Sequence, residues 1–190
     1  ERIARLVKEA NALEGERLKS ILDMLRRTQR EVIADLATVP PASFKAFFLK
    51  NLQAQVGARP AEFEGRLKAS LKGGQGDFFA LGKKHTDTLL DTFGLKAPAV
   101  DISPEVLTIA SGFRADLVKG LTGELRTRIS NKITVGIASG QGVQDVMQAI
   151  GTNLKEPSVF RTIADRAETI ARTEMLRVYS AAGQARLEQA

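Results

Sequence analysis

The stretch AETIARTEMLRVYSAAG, residues 167–183, holds the side chain whose type and place most demand a chemical account. Winding residues 160–186 at about 100° per residue brings Phe160, Ile163, Ala167, Ile170, Ala171, Val178, Ala181 and Ala185 into one sector about 100° wide. Glu174 falls near the middle of that sector. A carboxylate that faces a core must find a partner or be neutralised, because burying it alone is costly. The position therefore predicts a cation, or several donors, opposite Glu174. Arg172 and Arg177 of the same helix are read as pointing away from the sector, which leaves Arg114, Arg126 and Arg128 as candidate partners from another helix. The competing reading is a partly solvated helix end with Glu174 on the surface.

Catalytic chemistry finds little to work with. No second acid stands beside Glu174 at a working spacing, and no nucleophile and base pair accompanies it. The single histidine, His85, has no evident triad, and Ser139-Gly140 lacks the context of a nucleophile elbow. Cysteine is absent and the acids show no metal-ligand pattern, so neither a disulfide framework nor a metal site is expected. The run KGGQGD at 72–77 is a poor phosphate loop, since no strand precedes it and no GK[ST] follows. The expectation is a protein that is not an enzyme and uses no cofactor.

The elements that must position these residues read as helices throughout. Leu, Ala, Arg, Lys, Glu and Gln dominate, Trp is absent, and period-two runs of β-branched residues are hard to find. Residues 2–37 form one long helical pattern, a rod on the order of 50 Å, ended by Pro40 and Pro41. Ser43 is placed to cap a shorter helix that stops at GARP, and another is expected from Pro60. The glycines of KGGQGD mark the best hinge of this half before a helix over 77–93 that Gly94 terminates. LKAPAVDI reads as a linker, and SPEV with Ser103 at the cap starts a second long helix that ends near Gly140. A short helix closing at Gly151 and the final long helix complete the chain. The fold class is all-α: long amphipathic helices, an extended N-terminal region over 1–94, a linker at 95–102, and over 103–190 a C-terminal unit of two long helices and one short one.

The 190 residues carry 28 Lys or Arg against 22 acids, a formal charge of +6. Most of the excess lies before residue 100, where 17 Lys or Arg face 12 acids, against 11 and 10 in the remainder. No apolar run reaches the length of about 18 residues that a spanning helix needs, so no membrane partner is expected.

The C-terminal order, with GIASGQGVQDVMQAIGTNL leading into ADRAETIARTEMLRVYSAAGQARLE, resembles the phage Mu F-like head morphogenesis family, the minor head proteins of tailed phages and prophages. The likeness is strongest over about residues 104–188. Its most specific piece is the A-E-x-I-A-R-T-E core at 167–174, where Arg172, Thr173 and Glu174 match the family's Arg-Thr-Glu. Family members often carry Ala or Thr and then Asn around 175–180, where this chain has Met175, Leu176, Tyr179 and Ser180. The resemblance implies a virion component inside the head near the portal, in the host cytoplasm during assembly. It also implies few copies around the portal ring and a part in head assembly and DNA packaging or delivery. The implied partners are the portal protein and the major capsid or scaffolding protein. Nothing in the chain resembles the effector modules that some members carry.

Two kinds of contact follow for such a protein. Helix faces laid into grooves would use Phe44, Phe47, Phe48, Phe78 and Phe79 as anchors, against ordinary core packing as the plainer role for each. Double-stranded DNA, met without sequence preference, would use Arg17, Lys19, Arg26, Arg27, Arg30, Lys83 and Lys84 on phosphates. Asp23, Glu31 and Asp35 interleave with the first cluster, so a solvated helix laced with internal ion pairs competes with that role.

Overall fold

The computed structural model describes residues 2–95 and 104–189, the latter with side chains from residue 115 onward. The order is α1 (Arg2–Ala37), two 3-10 turns (Pro41–Ser43 and Ala46–Phe48), α2 (Leu49–Thr92), α3 (Pro104–Ala138), α4 (Val143–Ile150) and α5 (Val159–Leu187). Among the described residues there is no strand, and the protein is all-α. The C-terminal sequence of long, short and long helix follows the apolar periodicity. Glycines at positive φ close three of the helices: Gly94 at 73°, Gly140 at 71° and Gly151 at 110°. Ser103, the expected cap of α3, and residues 96–102 of the expected linker lie outside the described residues.

The segment between Pro41 and Phe93 differs from its sequence reading. The aromatic-rich stretch after Ser43 forms 3-10 turns instead of a capped helix, and α2 then runs unbroken for 44 residues through Pro60 and the glycines of KGGQGD. Neither the break at GARP nor the hinge at 72–77 occurs. The reason lies in tertiary packing. Leu52, Val56, Pro60, Phe63, Leu67, Leu71, Gly74 and Phe78 are all buried, and they follow one another at intervals of three or four. A continuous apolar stripe therefore crosses both weak points, and its burial outweighs the helix-breaking tendency of Pro and Gly, about 3 and 1 kcal/mol per residue.

The chain forms two compact units, each drawing on several helices. The first comprises Glu1–Ser20, Lys68–Leu117 and Thr169–Ala190; the second comprises Ile21–Leu67 and Val118–Glu168. Both take segments from either side of the expected linker, so the units run across the halves 1–94 and 103–190 read from the sequence. The cause is visible in the second unit, whose core joins Leu25 of α1, Phe63 of α2, Leu121 and Ile133 of α3, Ile150 of α4 and Phe160 of α5, all essentially sealed from solvent. Each such side chain contributes about 1.5–3 kcal/mol by burial. Polar ties reinforce it: Arg59 on α2 makes a two-armed pair with Asp35 on α1, at 2.7 and 3.0 Å. Arg66 on α2 reaches Glu31 and the Thr28 hydroxyl, and Thr122 of α3 donates to Glu64 of α2. Gly136 lets α4 approach α3, since a Cβ there would stand 2.2 Å from a methyl of Val146.

In the first unit Leu6 and Leu18 of α1, Leu71, Phe78, Leu81 and Leu90 of α2, and Ile170, Met175, Val178 and Ala182 of α5 are buried. Small residues bring α2 and α5 together. A Cβ on Gly82 would meet the Tyr179 carbonyl oxygen at 2.4 Å and Ala182 at 3.0 Å. Across the same seam Arg186, only 5 % exposed, donates to Asp87 at 2.5 Å.

Candidate functional site

In the first unit, α5 carries the Arg-Thr-Glu segment, and its three side chains meet different surroundings. Glu174 is buried, with 2 % of its surface exposed, as its place in the apolar sector requires. Its ion pair is with Arg177, whose Nη2 donates to Oε2 at 2.7 Å. Glu174 Oε1 is sealed from solvent and has no hydrogen-bond partner among the described residues. Among the described residues the partner is thus on the same helix. Residues three apart on a helix are neighbours, and the long arm of Arg177, about one third exposed, reaches from the rim back over the carboxylate. Of the candidates taken from other helices, Arg128 is engaged by Glu124 at 2.8 Å. Arg126 lays its guanidinium against α2 at Gly57, where a Cβ would stand 3.4 Å from Nε. The side chain of Arg114 lies outside the described residues.

Arg172 points the other way, to Glu14 of α1, at 3.1 Å, and Thr173 is exposed. One turn further on, the Tyr179 hydroxyl and His85 Nδ1 of α2 form a hydrogen bond. Burial pushes the Tyr179 phenol up from its ordinary value of 10.0, so it stays neutral in physiological conditions. The segment therefore ties α5 to α1 and α2 within this unit.

The cations chosen for DNA contact are divided between the units, and most hold carboxylates. In the first unit Arg17 pairs with Asp77, and Lys84 with Glu9 at 2.8 Å. The hydrogen bond from Lys84 lowers the Glu9 carboxyl below its ordinary 4.5. Lys83 is half-buried and Lys19 exposed. In the second unit Arg26 pairs with Asp23 and Arg27 with Glu31, the internal ion pairs that the alternating charges of α1 suggest. Arg30 is exposed. The aromatic anchors also separate. Phe44 and Phe78 are core residues, Phe48 and Phe79 are half-buried, and Phe47 is 89 % exposed, edge-on to Phe48 at 5.0 Å.

One feature of the second unit is absent from the sequence reading. Gln29, 4 % exposed, sits on the buried stripe of α1 and donates through Nε2 to the carbonyl of Gly151 at 2.8 Å. It thereby pins the loop between α4 and α5. Its position beside Leu25 and Val32 was the available signal, because an amide on an apolar stripe needs a partner just as a carboxylate does.

Among the described residues no group of three or more His, Asp or Glu is placed to hold a metal ion. No described helix is long and apolar enough to cross a membrane. Comparison of the chain with protein-family models, curated proteins and solved structures gives no match.

Proposed function

We propose that the chain is a structural protein of a tailed-phage head: a minor head protein that works as an adaptor at the portal vertex, inside the capsid. It is not an enzyme in this reading. Its helix faces engage the portal and, during assembly, the major capsid or scaffolding protein, so that head assembly and DNA packaging or delivery proceed. The observation that carries the reading is the state of the Arg-Thr-Glu segment, the most specific point of resemblance to Mu F-like head proteins. Glu174 is buried and ion-paired, and Arg172 is spent on Glu14 of α1. A motif used in this way fastens helices together and offers no free acid or base to a substrate.

A second reading, a sequence-independent DNA-binding protein carried in the head, is favoured by one feature: a cleft of the second unit lined by cations and by no carboxylate.

The test is quantitative mass spectrometry of purified virions from the phage or prophage that encodes the chain, together with particles from a deletion of its gene. The adaptor reading expects a few copies per head and defective or empty heads from the deletion. Absence of the chain from mature and immature heads alike would reject both readings.

A further inference from the structure

The loop that Gln29 holds borders a cleft of its own. Between α1 and this loop lies an open cleft of about 350 Å³ lined by Arg26, Gln29, Arg30, Thr152, Asn153, Leu154 and Lys155. Three of those residues are cations and none is an acid.

The loop is built, not merely placed. Gly151 has φ of 110°, in the left-handed region, and a Cβ there would stand 2.4 Å from Ser158. Its carbonyl is fixed by the buried Gln29. Asn153 Oδ1 then accepts from the backbone N–H groups of Lys155 and Glu156, at 2.8 and 3.0 Å, which orients its amide and leaves Nδ2 as a donor. The backbone N–H groups of Thr152, Asn153 and Leu154 make no hydrogen bond to any described residue. Neither the Arg30 nor the Lys155 side chain has a carboxylate or other hydrogen-bond partner among the described residues. Among the described residues Arg26 is held only by Asp23, three residues back on the same helix, with both side chains about half exposed. Such a pair is weak and exchangeable.

We infer that this cleft binds a phosphate group. Arg26 and Arg30 on α1 and Lys155 on the loop line this cleft together with Thr152 and Asn153, and the loop's backbone N–H groups at 152–154 are unsatisfied among the described residues. A tetrahedral anion with several acceptor oxygens satisfies donors arrayed in this way, whereas nothing lining the cleft repels it. The cleft is open to solvent, so the phosphate can belong to a small molecule or to the backbone of duplex DNA. The inference concerns the cleft that favours the DNA-binding reading and is independent of the adaptor reading. Its test uses the isolated chain, so its failure leaves the virion result untouched.

The experiment is a titration of the full chain, followed through its amide NMR signals, first with inorganic phosphate and then with a short DNA duplex. Arg30→Ala/Lys155→Ala is run in parallel, with Lys45→Ala as an exposed control outside the cleft. Phosphate should shift the amides of residues 152–154 saturably, and the double variant should bind about tenfold more weakly, with an unchanged melting curve. If the duplex shifts the same amides, and the double variant flattens its salt dependence by about one unit of log–log slope per lost contact, the phosphate is that of nucleic acid. If inorganic phosphate binds and the duplex leaves these amides unmoved, the site serves a small phosphorylated ligand. The inference is overturned if neither probe moves the amides of 152–154, or if their shifts survive unchanged in the double variant.

Discussion

Glu174 accepts a hydrogen bond from Arg177, three residues on along the same helix, at 2.7 Å, while the carboxylate itself is sealed from solvent. A buried charge is here compensated from within one helix by a side chain whose far end reaches the rim. The pair anchors the part of α5 that also binds α1 through Arg172 and Glu14.

Replacing Glu174 with Gln keeps the shape but removes the charge that Arg177 neutralises. The expected loss is about 1–2 kcal/mol, less than for a fully buried pair, because Arg177 can turn to solvent. Glu188→Gln, at an exposed position just past the end of α5, should lie within about 0.5 kcal/mol of the parent. Thermal and urea melts of both variants measure this. Identical curves for Glu174→Gln and the parent would remove the pair from the account.

The glycines of α2 divide by what surrounds them. Gly73 and Gly76 have open space where a Cβ would be, and each lies inside a regular helix, so Gly→Ala at either should stabilise by about 0.5–1 kcal/mol. Gly82→Ala should instead cost about 1–3 kcal/mol, since its Cβ would overlap the Tyr179 carbonyl oxygen. Urea midpoints separate the two signs. A destabilising Gly73→Ala would show that the 72–77 segment is a hinge after all.

Acid should loosen the second unit through Glu31. Burial raises this carboxyl, but hydrogen bonds from Arg27 and Arg66 outweigh it and set the folded pKa below the ordinary 4.5. The folded state then binds fewer protons than the unfolded one. Its contribution is complete above about pH 4.5 and is lost as pH falls through the lowered folded value. The pair is partly exposed, so the expected contribution is about 1 kcal/mol or less. Urea unfolding at pH 7 and pH 3 of the parent and of Glu31→Gln checks it: the difference between them should shrink in acid. A constant difference across that range would contradict the linkage.

Much of this architecture is legible in the sequence, and the failures have physical causes. Apolar periodicity alone places α1, α3, α4 and α5, and the placement of Glu174 in the buried sector of α5 follows from the same winding. The partner of Glu174 lies on its own helix because positions three apart are only about 60° apart around it, so Arg177, at the edge of the apolar sector, reaches back over the carboxylate. Pro60 and KGGQGD read as breaks by local propensity, but the buried stripe from Leu52 to Phe78 continues across both. The two units were hidden for a different reason. Periodicity shows that a helix has a buried face but not which distant helix covers it, so segments joined by Arg17 and Asp77 or by Thr122 and Glu64 could not be paired from one sequence. The phosphate cleft was equally out of reach, since residues 26–30 and 151–155 meet only in the fold.

In the proposed function the chain binds the portal vertex through its helical surfaces. The most direct test of that binding is capture of the purified full chain by portal rings of the same phage, at about 50 and 200 mM salt, the range over which phosphate contacts weaken, with and without duplex DNA as competitor. Capture should survive the higher salt and the competitor. Capture of DNA alone, fading as salt rises, with none by the portal, would contradict this function.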